Sequence, residues 1–329
     1  MDKIKYAVII ATYNGEKYIE QQITSILNQT YNVSEIVISD DGSSDKTLDI
    51  VENLAKSNPN IHYIKHNSTK SVTDNFVNAF EHIITPVDYV FFADQDDFWL
   101  QDKVETFNDI LKNNRYDVLF SDAYITDSEL IKKEKTLLQV LCNYEYKGCF
   151  NNNEVYEFNW SEDFSYKVLK WNILTGMNCC VKYDYFNGIL PIPYNILHDK
   201  WCFFITYFIG KMALIKKATA LYRQHSNNVV GVNKKKTINY IKQRIVEDRE
   251  NTRCFLNNYE DLFKFVEKKG NYDHLRIIES FISFYYWRVT MLETGKIISL
   301  LFSYGKYIKY VHRPFKQYCK DILYIMVRR

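Results

Sequence analysis

Glycine is scarce in this chain, ten residues in 329. Neither GxGxxG nor a P-loop occurs, so a glycine-rich loop is excluded as the cradle for a bound phosphate. The seven cysteines form no CxxC pair, and an odd number in a long chain supplies no disulfide framework. Cys179 and Cys180 are adjacent and read as small buried residues, and a reducing, cytoplasmic compartment fits this usage. A charge excess is missing too. The net charge is +2 and no Lys/Arg block interleaves with aromatics, which excludes a nucleic-acid groove. Long apolar runs are also absent. The opening MDKIKYAVIIATYNG has too short an apolar stretch for a signal peptide. The longest candidate span, WCFFITYFIGKMALI (201–215), has 15 residues with Lys211 inside it and is expected as a core element. What remains is ordinary for a globular protein, 47% hydrophobic and 25% charged, except for 27 tyrosines whose rings both pack and hydrogen-bond.

The first 125 residues alternate regularly. KYAVIIATY (5–13), EIVISDD (35–41), IHYIKH (61–66) and DYVFFAD (88–94) read as short buried strands. Between them, Ile19, Ile23, Ile26 and Leu27 fall at helix spacing. Leu48, Val51, Leu54 and Ala55 do the same in a segment opened by two serines that predict an N-cap. The unit recurs every 26 to 30 residues, the period of a βαβ repeat. The fold class is therefore α/β, a doubly wound, mostly parallel sheet. Beyond this stretch the pattern loosens. NILTGMNCCVKYDYF predicts a further strand entered through Gly176, ALIKKATALYRQHSNNVVG a hairpin or a strand ending in a polar loop, and the residues from Lys234 onward a helical extension.

The polar residues cluster at the strand ends. Tyr13-Asn14, Asp40-Asp41, His66-Asn67 and Asp94-Asp96-Asp97 follow strands one to four, at the carboxyl ends where open α/β sheets bind ligands. Three carboxylates in four residues repel one another and are costly to desolvate. They admit three readings: a solvated turn, an acid/base pair, or a site for Mg²⁺ or Mn²⁺, hard cations that offset the repulsion. The shortage of glycine favours the cation, because a diphosphate ligand then needs a metal to neutralise it. In the same crevice Asp41 suits a hydrogen bond from a base N–H, and Tyr13 suits stacking on its ring.

VIIATYNGEKYIEQQITSILNQTY, EIVISDDGSSDKT and FFADQDDFWLQDK, in this order and spacing, closely resemble family-two glycosyltransferases with the A-type nucleotide-diphospho-sugar fold. The resemblance covers roughly residues 5 to 230. It implies that Thr12, Tyr13, Asn14, Asp41 and Lys70 lie along the nucleotide with Asp94. It also implies that Asp94 and Asp96 form the metal-binding pair for Mg²⁺ or Mn²⁺, with the role of Asp97 open. ILTGMN (173–178) resembles the loop whose glycine, Gly176, brings the backbone near donor and acceptor, and His198 stands beside it in NILHDKW (195–201). The latter resembles the catalytic-base segment and places the base at Asp199. YRQHSNN (222–228) resembles the histidine motif that reaches the metal or diphosphate, here through His225.

The resemblance implies an inverting transferase that moves a sugar from a nucleotide-diphospho-sugar donor to a saccharide or lipid-linked acceptor in bacterial surface polysaccharide synthesis. The wording of its motifs is similar to rhamnosyltransferases, with dTDP-L-rhamnose the implied donor. The rival donors are UDP-hexoses. A rival class is the sugar nucleotidyltransferases, which open with a glycine-rich basic loop where this chain has ATYNGEKY.

Two regions are expected: a catalytic domain over 1–233 and a mainly helical region over 234–329. Residues 305–329 carry net +6 against −4 for the rest of the chain. Tyr304, Ile308, Val311, Phe315, Tyr318 and Ile322 share one helical stripe opposite five basic residues, and Pro314 predicts a kink or a split. Such a helix either lies peripherally on an anionic membrane surface or docks its stripe on the catalytic domain.

Overall fold

The computed structural model describes residues 3–66, 71–142, 146–151, 153–194, 196–225, 238–269, 272–311 and 314–328. The four expected strands form as β1 (Tyr6–Thr12), β2 (Glu35–Asp40), β3 (Ile61–Lys65) and β4 (Tyr89–Asp94), with helices α1 (Ile19–Leu27), α2 (Thr47–Ser57) and α3 (Val72–Glu81) between them. All four run parallel, in the order β3-β2-β1-β4. Both faces are covered, which is why these strands read as continuous apolar runs. Val8, Ile10, Ile36 and Ile38 share one core with Ile19, Ile23 and Ile26 of α1. Ile9, Val37 and Phe92 share the other with Phe76, Ala79 and Phe80 of α3.

The serines ahead of α2 do not cap it. Ser43 donates its hydroxyl to Asp40 Oδ2 at 2.5 Å, and Ser44 N–H donates to Asn14 Oδ1 at 2.9 Å. Asp45 accepts the Thr47 N–H at 3.0 Å instead. The serines are used to tie the β1 and β2 loops together, a demand that a local capping pattern does not contain.

Beyond β4 the chain forms β5 (Phe98–Trp99), α4 (Lys103–Leu111), β6 (Val118–Thr126), β7 (Lys132–Thr136), α5 (Leu137–Leu141), β8 (Val155–Glu157) and α6 (Glu162–Lys170). A 3₁₀ turn at Gly176–Asn178 leads into β9 (Cys179–Lys182), followed by α7 (Tyr183–Gly188), α8 (His198–Ile209) and β10 (Met212–Arg223). The sheet continues past β4 as β9-β6-β10-β5. The strand expected after Gly176 thus inserts antiparallel between β4 and β6. The apolar span 201–215 becomes buried helix α8 and the start of β10, a core element as expected.

The remaining helices are α9 (Ile238–Lys268), α10 (Tyr272–Thr294), α11 (Ile297–Leu301), α12 (Tyr304–Tyr310) and α13 (Pro314–Arg328). The expected boundary at 233/234 lies outside the described residues. One hydrophobic cluster joins these helices to the sheet: Trp201 meets Phe265 at 6.0 Å between ring centroids, Phe204 stacks on Tyr259 at 6.3 Å, and the Tyr259 hydroxyl donates to Leu169 O at 2.7 Å.

Pro314 splits the tail, opening α13 after α12 has ended at Tyr310. The helical phase therefore resets, and the expected stripe does not hold. Ile308 and Phe315 are 54% and 67% exposed, whereas Tyr307 and Ile325 are buried. Asp321 fixes the docking. It receives Arg288 Nε at 2.7 Å, Arg288 Nη2 at 3.0 Å and the Tyr307 hydroxyl at 2.5 Å, all buried. Among the described residues no helix is long and apolar enough to cross a membrane.

Candidate active site

A cavity of about 1360 Å³ opens at the carboxyl ends of β1 and β4. Thr12, Tyr13, Asn14, Asp41, Asp94, Asp96, Gly176, His198, Asp199 and His225 all line it, whereas Asp40, Asp97 and His66, at the end of the outer strand β3, do not. Lys70 lies outside the described residues.

At the β1–β2 end the backbone turns sharply. Asn14 takes a φ of 47°, in the left-handed region that asparagine tolerates. Its N–H donates to Ser43 Oγ at 2.8 Å. Asp40 turns inward on its own loop, accepting from Ser43 N at 2.8 Å and Gly42 N at 3.1 Å. That leaves Asp41, 6% exposed, as the acid of the pair facing the cavity, with its N–H on Thr12 O at 3.0 Å. Tyr13, 53% exposed, stands at the rim.

The members of the acidic cluster have different partners. Asp94 ends β4, and its carboxyl is pushed up to about 7, first by desolvation and then by repulsion from Asp96 and Asp199. Asp96 Oδ2 meets His225 Nε2 at 2.7 Å. Asp97 turns away from the cavity and is fully buried. Its Oδ1 accepts the Arg223 N–H at 2.9 Å, pinning the end of β10, and burial raises its carboxyl well above the usual range.

Four residues that sequence reading passed over hold this arrangement. Gln95, between the two aspartates, lies in the turn after β4 and lines the same cavity. Its Oε1 accepts Thr12 Oγ1 at 2.6 Å and Tyr13 N at 2.9 Å, and its Nε2 donates to Tyr13 O at 3.1 Å. A side chain at Gly15 would strike that amide, 2.3 Å from Oε1. Arg223 donates Nε to Asp96 O at 2.7 Å and lies over the Tyr18 ring, whose centroid is 4.9 Å from that of His225. Lys103, wholly buried, donates to Met177 O at 2.9 Å and Asn178 Oδ1 at 3.2 Å, and its charge offsets those of Asp97 and Asp94. It thereby couples the acidic cluster to the glycine turn. Lys103 and Arg223 stand inside the quoted motifs, but nothing local marks them as buried.

On the opposite wall, Gly176 opens the 3₁₀ turn and its N–H donates to Asp199 Oδ2 at 3.3 Å. Burial raises the Asp199 carboxyl to about 6, partly offset by the Lys200 and Gly176 N–H groups. His198 is 5% exposed and stacked on Phe92, its ring centroid also 4.2 Å from that of Phe76. A Cβ at Gly176 would sit 2.5 Å from His198 Nε2, so a side chain there would have to displace the imidazole. Desolvation holds this imidazole down to about 3, hence neutral.

Among the described residues no group of three His, Cys, Asp or Glu side chains is set to hold a metal ion. The donor set nevertheless fits a hard cation that keeps its waters and takes substrate phosphates as ligands, for which one or two carboxylates suffice. Asp94 and Asp96, two residues apart and lining one cavity, supply these carboxylates.

Residues 7–181 match the family model described as glycosyl transferase family 2. The chain belongs to glycosyl transferase family 2. It is a glycosyltransferase, and the resemblance carried by its motifs is borne out. It is similar to dTDP-rhamnosyl transferase RfbG of Shigella flexneri, 30% identical over 236 residues, which are 68% of this chain and 74% of that one. It is also similar to the GalNAc(5)-diNAcBac-PP-undecaprenol beta-1,3-glucosyltransferase of Campylobacter jejuni, 32% identical over 131 residues, 40% of this chain and 41% of that one. The crystal structure of S. aureus TarS residues 1–349 in complex with UDP-GlcNAc superposes with a TM-score of 0.55 at 16% identity, covering 80% of this chain and 70% of that one. This last likeness concerns the fold, the A-type glycosyltransferase architecture with helices following the sheet. The family match ends before Asp199 and His225, so these two residues rest on motif resemblance and geometry.

Proposed function

We propose that this glycosyltransferase inverts the anomeric centre, depends on a divalent cation, and builds bacterial surface polysaccharide on a saccharide or lipid-linked acceptor. The observation that carries the reading is a single cavity with Asp94, Asp96 and His225 on one wall and Asp199 on another. Thr12, Tyr13, Asn14, Asp41 and, by resemblance, Lys70 bind the nucleotide. Asp94 and Asp96 would hold Mg²⁺ or Mn²⁺, with His225 bonded to Asp96 at the metal–diphosphate end, and the cation when bound would supply positive charge against the departing diphosphate.

Asp199 takes the proton from the acceptor hydroxyl as that oxygen bonds to the anomeric carbon. The bond from this carbon to the diphosphate oxygen breaks on the far side, so one displacement inverts the centre. A carboxyl near 6 is ionised at neutral pH yet more basic than an ordinary aspartate, which suits a general base. Gly176 N–H orients that carboxylate.

The likeness to RfbG supports dTDP-L-rhamnose as donor. A second reading, a glucose donor, is favoured by the glucosyltransferase relative. Peripheral contact with the inner face of the membrane belongs to the same proposal, supported by Ile308 and Phe315 standing exposed near Lys309 and Lys316.

A donor screen scoring nucleotide diphosphate release with Mg²⁺ or Mn²⁺ tests the reading. Release should favour dTDP-rhamnose, and Asp94→Asn or Asp96→Asn should lower it by about 10²–10³-fold, as for loss of one transition-state electrostatic contact. Full turnover in excess chelator would overturn the metal assignment.

A further inference from the structure

The cavity exceeds the roughly 300–1,000 Å³ of a single small-molecule site, so it has room for a second substrate beside the donor. Its two ends differ in charge. The sheet end gathers Asp41, Asp94 and Asp96. The end formed by the later helices is aromatic and cationic. From Asp199 the wall passes to Lys200, whose Nζ lies 4.5 Å from the Phe255 ring centroid and 5.2 Å from that of Phe204. Phe255 packs on Tyr285 at 5.6 Å, and Tyr285 on Tyr259 at 5.2 Å.

The cations at this end are not equivalent. Arg288 is neutralised by Asp321. For Lys200, among the described residues, no carboxylate comes within 4.0 Å of Nζ; two aromatic rings lie against it, and Asp199 acts on it from beyond that distance. Burial lowers this ammonium to about 8, the cost of a cation set in an apolar wall. Nearby, the buried imidazole of His198 lines the same cavity, and among the described residues neither ring nitrogen has a hydrogen-bond partner. An aromatic wall carrying a cation whose nearest counter-charge is the base Asp199 suits a ligand that joins an apolar or sugar surface to an anion.

We propose that Lys200 and the Phe255–Tyr285 wall form an acceptor subsite that takes a phosphate ester. The inference deepens the proposed function and rests on Asp199 as the base at the acceptor hydroxyl. Because Lys200 follows Asp199 directly in the chain, the phosphate belongs to the sugar that receives the donor or to its neighbour. The enzyme then acts close to the phosphate-linked end of a glycan, not far out on a neutral polymer.

Calorimetric binding of farnesyl phosphate, farnesol and glucose 1-phosphate to the full chain in EDTA tests this without engaging a metal–donor complex. Farnesyl phosphate should bind, and farnesol should bind at least about tenfold more weakly. Lys200→Met should weaken farnesyl phosphate by about tenfold or more and Lys200→Arg by no more than about threefold, while dTDP binding with Mg²⁺ stays within about twofold in both. Glucose 1-phosphate bound as tightly as farnesyl phosphate, and equally dependent on Lys200, would support the subsite with a soluble sugar phosphate as its source. Unchanged farnesyl phosphate affinity in Lys200→Met, no binding to the wild type, or its competitive displacement by dTDP would overturn the proposal. Lys200-dependent binding in a protein that transfers sugar from no donor would leave the subsite standing and sink the proposed reaction alone.

Discussion

The two halves of the cavity are built differently. The sheet half hangs on four parallel strands whose helices return within a few residues, and its polar side chains sit where each strand stops. The helical half is assembled from distant pieces: the turn before β9, the start of α8, and the faces of α9 and α10. In the first, chemistry follows from topology, because a parallel strand delivers its last side chains to one edge. In the second, each group depends on packing partners far away in the chain. Sheet-half substitutions should therefore alter chemistry with little cost to the fold, and helical-half ones should disturb stability as well.

Asp199 tests where the division falls, since it belongs to the helical half but serves the reaction. Asp199→Asn should lower kcat by about 10²–10⁴-fold with donor affinity unchanged. The pH profile carries the sign. A base must be deprotonated, so kcat/KM of the wild type should fall tenfold per unit below about pH 6 and level off above it, and the residual activity of Asp199→Asn should lose that limb. Near-normal transfer by the variant would move the base elsewhere. Asp97 is no substitute, being buried off the cavity with Arg223 N–H on its carboxylate.

Asp321→Ala should cost stability instead, about 3–5 kcal/mol in urea unfolding, because it leaves Arg288 buried without its counter-ion. The dTDP affinity of the folded fraction should not change. A cost below about 1 kcal/mol, the range of exposed pairs, would mean that water reaches the guanidinium and that the tail is loosely held.

Gly176→Ala sharpens the comparison at the seam between the halves. The added methyl meets His198 Nε2 at 2.5 Å, an overpacking worth about 1–3 kcal/mol. His198→Ala opens space beneath it. The double variant should be more stable than the sum of the single effects by about 1 kcal/mol, measured as a double-mutant cycle. Strict additivity would show that the turn moves away from the imidazole.

The strands β1 to β4, their parallel order and the acids at their ends were legible in the sequence, because a strand buried on both faces must be apolar along its length, and ligand groups must then wait for its end. Motif resemblance added Gly176, Asp199 and His225, all of which reach the cavity. Other features were decided only by tertiary structure. Lys103 looks like a surface lysine until Met177 O and Asn178 Oδ1, more than seventy positions on, accept its hydrogen bonds. Gln95 looks like a spacer until Thr12 and Tyr13 return to it. Pro314 marks the split in the tail but not which of its apolar residues then face the core, and Asp321 looks like a stray acid among bases until Arg288 claims it. Local periodicity reports which face of an element leaves water. It does not report which partner waits on the other side, because that partner is brought there by the rest of the chain.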